Sequence, residues 1–483
     1  MDASSQPATA RDLSHRETQL VVLGVLLPVF MGSLDNTILA SALPTIGRDF
    51  GDVHNLPWLI TAYLIANTAV TPLYGKISDI HGRRVTLLIA VSLYMAGSLV
   101  CALAPNMYVL ILGRVLHGLG GGGLTATGMV VLGDVAAPRD RGRYYGYFSL
   151  TYTTAGACGP ALGGFIAEYL HWSVIFWLNI PLGLIAIALT LTLLRRLPRH
   201  ERPHRLDFIG AALIMTAAVS FMLALNFGGV RYPWTSPPVL SLFAISLVVG
   251  IGFVFRLLTA PEPLIPISIL SDPIARCAIA ANAFGWSSII GLNIFLPMYL
   301  QSVLGLSATT AGLSLMVLMV TLNTSAGFAS RIMVHAPHYK TVPMLGLALA
   351  TASVLVLAWQ AKNLNLLWFE VLLALIGIGF GALPPLASTV LQNTVSIHHF
   401  GTAIGTMQFL RNLFATILVA LLGTLVLVGT AALEPNASAK ISPSTIYNAE
   451  GFALAFYVAA ASLAAALVSL ALLEEKPLQT SHG

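Results

Sequence analysis

Long apolar runs separated by short polar segments dominate the chain. A helix needs about 20 apolar residues to cross roughly 30 Å of hydrocarbon, and fourteen runs come close to that length or exceed it. They cover residues 20–42, 58–74, 85–103, 108–132, 145–167, 172–193, 208–227, 239–258, 278–300, 308–332, 342–361, 366–391, 402–427 and 452–473. This pattern predicts an all-α, multi-pass membrane protein with fourteen transmembrane helices.

The composition supports a membrane protein and argues against several other classes. Of the 483 residues 57% are hydrophobic and 9% are charged, whereas a soluble domain carries roughly 25% charged residues. The three cysteines lie in apolar runs, so no disulfide framework is expected. The sequence has no G-x-x-x-x-G-K-[ST] pattern, no metal cluster and no nucleophile constellation. We therefore expect neither an enzyme nor a cofactor, and no ATP-driven pump unless a separate subunit supplies the ATPase.

The basic residues indicate how the helices are oriented. With the N-terminus inside, the inner segments hold 18 of the 24 Lys and Arg residues, a bias typical of cytoplasmic loops. The outer loops hold Arg48, Arg231, Lys362 and Lys440, and Arg114 and Arg411 lie within spans. We therefore predict a plasma or bacterial inner membrane protein with both termini in the cytoplasm. The net charge of +5 comes from basic residues that set this orientation, so it does not indicate a nucleic-acid partner.

The loop between the second and third predicted helices reads GKISDIHGRR, residues 75–84. Its first glycine lets the helix end approach a neighbour, its aspartate can cap a helix or pair with arginine, and its second glycine permits a tight turn. The spacing resembles the signature loop of the major facilitator superfamily, G-x-x-x-D-[RK]-x-G-[RK]-[RK], with Ile80 in place of the usual basic residue. A plain basic inner loop is the alternative. The candidate residues are Gly75, Asp79, Gly82, Arg83 and Arg84.

The fifth predicted helix contains GACGPALGG. Glycines on one helix face permit close packing and the proline bends the helix. The stretch resembles the G-x-x-x-G-P-x-x-G-G motif of proton-coupled antiporters in the same superfamily, in the fourteen-span drug:proton antiporter branch. This resemblance implies export rather than uptake, and a plain packing face is the alternative. The residues concerned are Gly156, Gly159, Pro160, Gly163 and Gly164.

The family resemblance also implies an architecture. It consists of two six-helix bundles with a pair of helices inserted between them, and a central cavity lined mainly by the first, fourth, ninth and twelfth helices. The expected segments are a cytoplasmic tail at 1–19, an N-terminal bundle at 20–194, a basic loop with the inserted pair at 195–273, a C-terminal bundle at 274–473 and a cytoplasmic tail at 474–483.

Two charged residues lie deep in the first and fourth predicted helices. At 1.5 Å per residue, Asp35 lies about 22 Å from the inner end of its helix and Arg114 about 9 Å from the outer end of its own, which places both at nearly the same level. An ion pair is therefore geometrically feasible, and its opening and closing would make a proton switch. A static pair that fixes packing is the alternative. His117 follows one turn after Arg114 and could join a relay, although a hydrogen-bonded interhelical histidine is the simpler interpretation.

Polar side chains in the second half are candidates for the cavity wall. Glu370 is a second candidate for proton coupling, or else an interfacial acid that reaches water. An apolar wall with a few polar groups suits amphipathic ligands. In the fourteen-span family that the chain resembles, many exporters of cationic drugs carry further acids in the cavity, so the absence of an acid from the tenth predicted helix argues against polycationic substrates. The candidate substrate-binding residues are Asn282, Trp286, Asn293, Gln301, Gln392 and Arg411.

These observations lead to one functional hypothesis with an alternative. We expect a secondary transporter that exports amphipathic small molecules in exchange for protons by alternating access. The alternative is a metabolite importer or facilitator on the same fold. The expected partners are protons, a small-molecule substrate and the lipid bilayer, with the monomer as the functional unit.

Overall fold

The computed structural model describes residues 15–52, 55–136, 141–194, 206–229, 231–335, 338–362, 365–396, 399–431 and 449–475. The chain is almost entirely helical within these ranges. The helices are α1 (His15–Phe50), α2 (Leu56–His81), α3 (Arg83–Ala102), α4 (Met107–Val135), α5 (Arg141–Tyr169), α6 (Val174–Trp177), α7 (Asn179–Leu193), α8 (Phe208–Phe227), α9 (Pro237–Thr259), α10 (Ile267–Ser271), α11 (Pro273–Ser302), α12 (Ala308–His335), α13 (Thr341–Trp359), α14 (Leu366–Phe380), α15 (Leu383–Thr394), α16 (Phe400–Ala431) and α17 (Ala449–Ala471).

Thirteen helical segments of the described chain are long and apolar enough to cross a bilayer. Two of them join neighbouring helices, α6 with α7 over Val174–Leu193 and α14 with α15 over Leu366–Thr394. The fourteenth is α5, whose 29 residues include threonines, glycines and tyrosines that make it less apolar. The predicted all-α class with fourteen helices is confirmed.

Proline explains why the twelfth predicted helix is divided. Pro384 and Pro385 lie in the first turn of α15. A proline has no backbone N–H and its ring clashes with the preceding turn, so α14 ends at Phe380 and α15 begins at Leu383.

Several helices extend beyond the apolar runs that predicted them. Helix α1 covers His15–Phe50 instead of residues 20–42, and α2 continues to His81. Backbone hydrogen bonds continue a helix into polar sequence, so hydropathy alone underestimates its length. Three expected segments lie mostly outside the described residues, namely the tail at 1–19, the basic loop at 195–205 and the tail at 474–483.

The helices form two groups and a separate pair. Helices α1–α7, the N half, pack mainly on one another, and so do α11–α17, the C half. Between the halves, α2 packs against α16 and α5 against α12. Helices α8 and α9, the inserted pair, pack on each other, and α8 also contacts α2 and α16. Only Val239 is buried on α9, so most of that helix is left to face lipid.

Glycines let α4 pack closely against α2 and α3. A Cβ atom on Gly118 would collide with the carbonyl oxygen of Tyr63, and one on Gly120 would collide with the backbone of Tyr94. Small residues at helix contacts allow backbones to approach closely within a membrane. This close approach brings polar groups of four helices to one point in the N half.

Candidate functional site

An ion pair in the N half is the centre of the candidate site. The Nη1 atom of Arg114 on α4 donates to both carboxylate oxygens of Asp35 on α1, at 2.9 Å each. Both residues are 2% exposed. The two helices therefore place their charges in direct contact, away from solvent.

Arg114 has partners on a third helix as well. Its Nε atom donates to the carbonyl oxygen of Leu59 on α2 at 2.8 Å. Its guanidinium carbon lies 4.4 Å from the centre of the Tyr63 ring, also on α2, which is a cation–π contact. A carboxylate, a carbonyl and an aromatic face together compensate this charge within the bilayer.

The hydrogen bonds of His117 define its tautomer. Its Nδ1 atom lies 2.9 Å from Arg114 Nη1, and because arginine can only donate, Nδ1 accepts. The ring proton is therefore on Nε2, which donates to the hydroxyl of Ser98 at 3.1 Å. Asn179 of α7 donates to the same hydroxyl at 2.9 Å. His117 is thus neutral in this arrangement and is held by α3 and α7.

The neighbours of Asp35 determine what a proton on it would change. His117 Nδ1 lies 3.7 Å from Asp35 Oδ1, beyond hydrogen-bond range, and accepts from Arg114 instead. A proton on Asp35 would neutralise it and remove the charge that holds Arg114. Arg114 would keep the Leu59 carbonyl and the imidazole as acceptors.

Residues of the signature loop join the two halves at one end of the molecule, which we call the signature-loop end. Asp79 accepts hydrogen bonds from the backbone N–H groups of Gly401 (2.9 Å) and Thr402 (2.7 Å) in the first turn of α16. The first N–H groups of a helix lack partners within it, and a carboxylate is favourable there. Asp79 thus caps a helix of the opposite half.

Arg83 fixes this cap. It donates to Asp79 at 2.8 Å and, through Nε, to Asp134 at the end of α4 at 2.6 Å. Gly82 between α2 and α3 has a φ of 83°, in the region that favours glycine. The side chain of Arg84 is partly buried.

The backbones of the two halves touch at the signature-loop end. A Cβ atom on Gly75 would collide with the carbonyl oxygen of Gly401. Nearby, the Nε2 atom of Gln392 on α15 donates to the carbonyl of Met129 on α4 at 3.1 Å. The halves are therefore closed together at this end.

The glycine motif of α5 is only partly a packing surface. Gly159 is buried and contacts Thr37 of α1, whose hydroxyl donates to the Ala155 carbonyl at 3.1 Å. Gly163 is buried, but a Cβ atom on Gly156 or Gly164 would meet nothing within 4 Å among the residues that the structure describes. The expectation that Gly156 is needed for close packing is wrong for this conformation, because that position is open. Pro160 lies in α5, but its side chain is outside the described part.

Glu370 lies apart from the Asp35 pair, in the C half. It accepts a short hydrogen bond from Ser314 of α12, and its Oε2 atom is buried without a hydrogen-bond partner within the described chain. Glu370 is partly buried between α12 and α14, which argues against a carboxylate that reaches freely into water.

Two predicted cavity residues meet in the C half. The guanidinium carbon of Arg411 on α16 lies 5.5 Å from the centre of the Trp286 ring on α11. Arg411 also donates to the Asn412 side-chain oxygen at 3.1 and 3.2 Å. Trp286 also contacts Phe380, and their ring centres are 5.3 Å apart.

The other predicted cavity residues are placed differently. Gln301 is exposed near the end of α11 and donates to the Pro297 carbonyl, so it lies at a helix end rather than in a central cavity. Asn293 donates to its own helix at Ile289, and Asn282 is buried. Gln392 lies in the contact between the halves. Polar residues in spans can thus serve helix or interface hydrogen bonds as readily as a ligand.

A cavity of about 630 Å³ lies between α2, α8, α11 and α16. Its wall is mostly apolar, and the lining residues include Asn226 and Asn412. No predicted cavity residue lines it. The inserted pair contributes one wall through α8, together with Trp234 of the segment that follows.

Several residues of the site were not predicted from the sequence. Tyr63, Ser98 and Asn179 support the Asp35 pair, and Asp134 anchors Arg83. For Asp134 a signal existed, since an acid at the inner end of the fourth helix lies at the same level as the signature loop. The other three are ordinary polar residues, whose positions become informative only after the helices are packed.

Comparison with known proteins agrees with the fold. A model of the Major Facilitator Superfamily matches residues 25–420. Multidrug transporter protein MdtP of Bacillus subtilis (strain 168) is 30% identical over 409 residues, which cover 84% of this chain and 74% of that protein. Multidrug resistance protein 3 of the same organism is 30% identical over 408 residues, which cover 84% of this chain and 79% of that protein.

Solved structures share the fold at low sequence identity. The human organic anion transporter MFSD10 (TETRAN) has a TM-score of 0.67 at 16% identity, and the match covers 97% of this chain and 100% of that chain. The proton:xylose symporter XylE has a TM-score of 0.63 at 12% identity, covering 94% and 95%. With fourteen long helices and relatives named as multidrug transporters, the chain belongs to the Major Facilitator Superfamily of membrane transporters, consistent with its fourteen-span drug:proton antiporter branch.

Proposed function

We propose that this transporter exports amphipathic small molecules in exchange for protons by alternating access. The observation that carries the proposal is the buried contact between Asp35 and Arg114. A charge inside a transmembrane helix is costly and marks an ion or substrate path by default. Relatives named as a multidrug transporter and a multidrug resistance protein support the substrate class and the direction.

In this proposal Asp35 carries the proton and Arg114 is its charge partner. Protonation neutralises Asp35 and weakens its hold on Arg114, which can then turn to the Leu59 carbonyl and His117. Loss of the proton restores the pair. The balance between these two arrangements couples proton binding to the conformation of the N half.

Alternating access requires the signature-loop end to open. The contacts that would break are the cap of Asp79 on α16 and the close approach of Gly75 to Gly401. The excess of basic residues in the inner segments supports a cytoplasmic position for this end, with both termini on the same side of the cell membrane. We further propose that the two halves act as the rocking bundles and that the monomer is sufficient.

The decisive test replaces Asp35 by asparagine, which has the same shape but cannot release a proton. Purified protein in proteoliposomes should lose proton-driven, uphill substrate accumulation entirely. Exchange of labelled for unlabelled substrate without a proton gradient should persist, because it does not require Asp35 to titrate. Undiminished uphill transport by Asp35→Asn would refute the coupling role.

A matched control and a direction assay complete the test. Asp49→Asn removes an exposed carboxylate from the end of the same helix and should leave uphill transport unchanged. In everted vesicles that hold an acidic lumen, an exporter should release protons from the lumen when substrate is added. A facilitator would release none, and that result would favour the alternative of a metabolite importer or facilitator.

A further inference from the structure

Arg411 is a charge within a transmembrane helix that lacks an acidic partner. Within the described part of the chain, no carboxylate lies within ion-pair distance of its guanidinium. Its contacts are the neutral side-chain oxygen of Asn412 and the face of Trp286. Charges in this position normally pair with an opposite charge or line a water-filled cavity.

Among the acids that the structure describes, none fills this role. Most of the 19 Asp and Glu residues lie in loops or near helix ends. Of the described acids deep in spans, Asp35 is paired with Arg114. Glu370 contacts Ser314, between α12 and α14. The positive charge of Arg411 is therefore available to an anion that does not belong to the protein.

The location of Arg411 suits a ligand between the halves. It lies about 17 Å from the signature-loop end of α16, at 1.5 Å per residue, and Tyr152 lies at the same depth on α5. These two side chains are close enough to interact electrostatically, and Tyr152 hydrogen bonds with Thr125 of α4. The guanidinium thus faces the N half from the C half, and it is only partly buried.

We propose that Arg411 and Trp286 form a site that binds aromatic organic anions, with Arg411 as the counter-ion and Trp286 as the stacking surface. This inference rests on the proposed transport function and specifies its substrate class. A carboxylate or sulfonate would accept two parallel hydrogen bonds from the guanidinium. The aromatic part of the ligand would pack on the Trp286 ring, as aromatic pairs do in offset or edge-to-face geometry.

The same site disfavours cations. A cationic ligand would have to approach Arg411 in a medium of low dielectric, where like charges repel strongly. The neutral partners Asn412 and Trp286 cannot offset that repulsion. A neutral ligand of the same shape would keep the ring contact and lose the charge-assisted hydrogen bonds.

The test uses three probes that share a naphthalene ring and carry an anionic, a neutral or a cationic substituent. They are 2-naphthalenesulfonate, 2-naphthalenesulfonamide and 2-naphthylmethylammonium, each radiolabelled, with binding to purified full-length protein measured by equilibrium dialysis. The sulfonate should bind at least about tenfold more tightly than the sulfonamide, which corresponds to about 1.4 kcal/mol. The ammonium should bind most weakly.

Variants assign the preference to Arg411. Arg411→Gln should reduce sulfonate affinity to that of the sulfonamide, and Arg411→Lys should retain part of the preference. Trp286→Leu should weaken all three probes by a similar factor. Lys362→Gln removes an exposed positive charge from the same half and should change nothing, which controls for net charge.

The outcomes test the anion site and the proton-coupling proposal separately. Equal affinity for sulfonate and sulfonamide, or a sulfonate preference that survives in Arg411→Gln, would overturn the anion site. Asp35→Asn should leave the probe preference intact while it abolishes proton-driven transport. A third outcome is that Asp35→Asn leaves proton-driven transport undiminished while the sulfonate preference is lost in Arg411→Gln. In that case the coupling proposal fails and the anion site stands.

Discussion

Arg114 and Arg411 both lie deep within transmembrane helices, and their surroundings are opposite. Arg114 is 2% exposed and contacts a carboxylate, a carbonyl, an imidazole and an aromatic face. Arg411 is partly buried and contacts one neutral amide and one aromatic face. The first charge is compensated by the protein itself, and the second is not.

This difference separates two tasks that a transporter must perform. A compensated charge can be switched by a proton, because neutralising its partner changes the local charge balance. An uncompensated charge attracts a ligand of opposite sign. Arg114 also has its partners within the N half, whereas Arg411 faces α5 of the opposite half, so the second site lies where the two halves meet.

The largest contrast should appear in stability. Arg114→Leu leaves Asp35 buried and unpaired and should lower the free energy of unfolding by about 3–5 kcal/mol. Arg411→Leu removes a charge that has no acidic partner and should change it by less than about 1 kcal/mol. Unfolding of each variant in detergent titrated with dodecyl sulfate measures both values.

Equal losses in the two variants would contradict the comparison. The double variant Asp35→Asn with Arg114→Leu provides the control, since it removes both charges at once. It should recover most of the lost stability and still lack proton-driven transport.

The two sites should also respond differently when the signature-loop end is forced open. In Gly75→Ala the added methyl group meets the Gly401 carbonyl, and such overpacking costs about 1–3 kcal/mol. The equilibrium should shift toward a conformation with this end separated. Spin labels at His81→Cys and Ser396→Cys in a cysteine-free background would report a longer distance.

Binding measurements on the same Gly75→Ala variant complement the distance measurement. Affinity for 2-naphthalenesulfonate should change in Gly75→Ala, because Arg411 faces the opposite half. Gly146→Ala in α5, where a Cβ atom meets nothing within 4 Å, should leave both distance and affinity unchanged. An unchanged distance in Gly75→Ala would show that this backbone contact does not hold the halves together.

The smallest effect is expected at His117. His117→Gln keeps an acceptor for Arg114 and a donor for Ser98, so its cost should stay below about 1.5 kcal/mol, the value of one ordinary hydrogen bond. Proton-driven transport should be retained. His117→Phe lacks both groups and should cost more in the same unfolding assay. A complete loss of transport in His117→Gln would move the proton site from the carboxylate to the imidazole.

Levels within the membrane could be predicted from the sequence, because the rise per residue of a helix is fixed. This is why Asp35 and Arg114 were expected at one depth and were found in contact. Rotation about the helix axis could not be predicted, since it depends on packing between distant segments. Gln301 and Gln392 were therefore assigned to a cavity, whereas one lies at a helix end and the other between the halves.

The tertiary partners of the site residues could not be predicted from the sequence for the same reason. The carbonyl of Leu59 and the hydroxyl of Ser98 carry no distinctive sequence signal, yet the first accepts from Arg114 and the second contacts His117. Conversely, the α5 glycines matched a known motif, but Gly156 faces open space. A motif fixes residue types and spacing, and the packing partner decides what each position does.

The charges of the two arginine sites have a consequence for energetics across the membrane. If Asp35 carries one proton inward while Arg411 passes one monovalent anion outward, each cycle moves two elementary charges in the same electrical direction. Each charge contributes about 2.3 kcal/mol per 100 mV, so voltage alone would drive export of an anion. The same cycle would move one charge with a neutral substrate and none with a monovalent cation, for which only the pH difference would remain as a driving force.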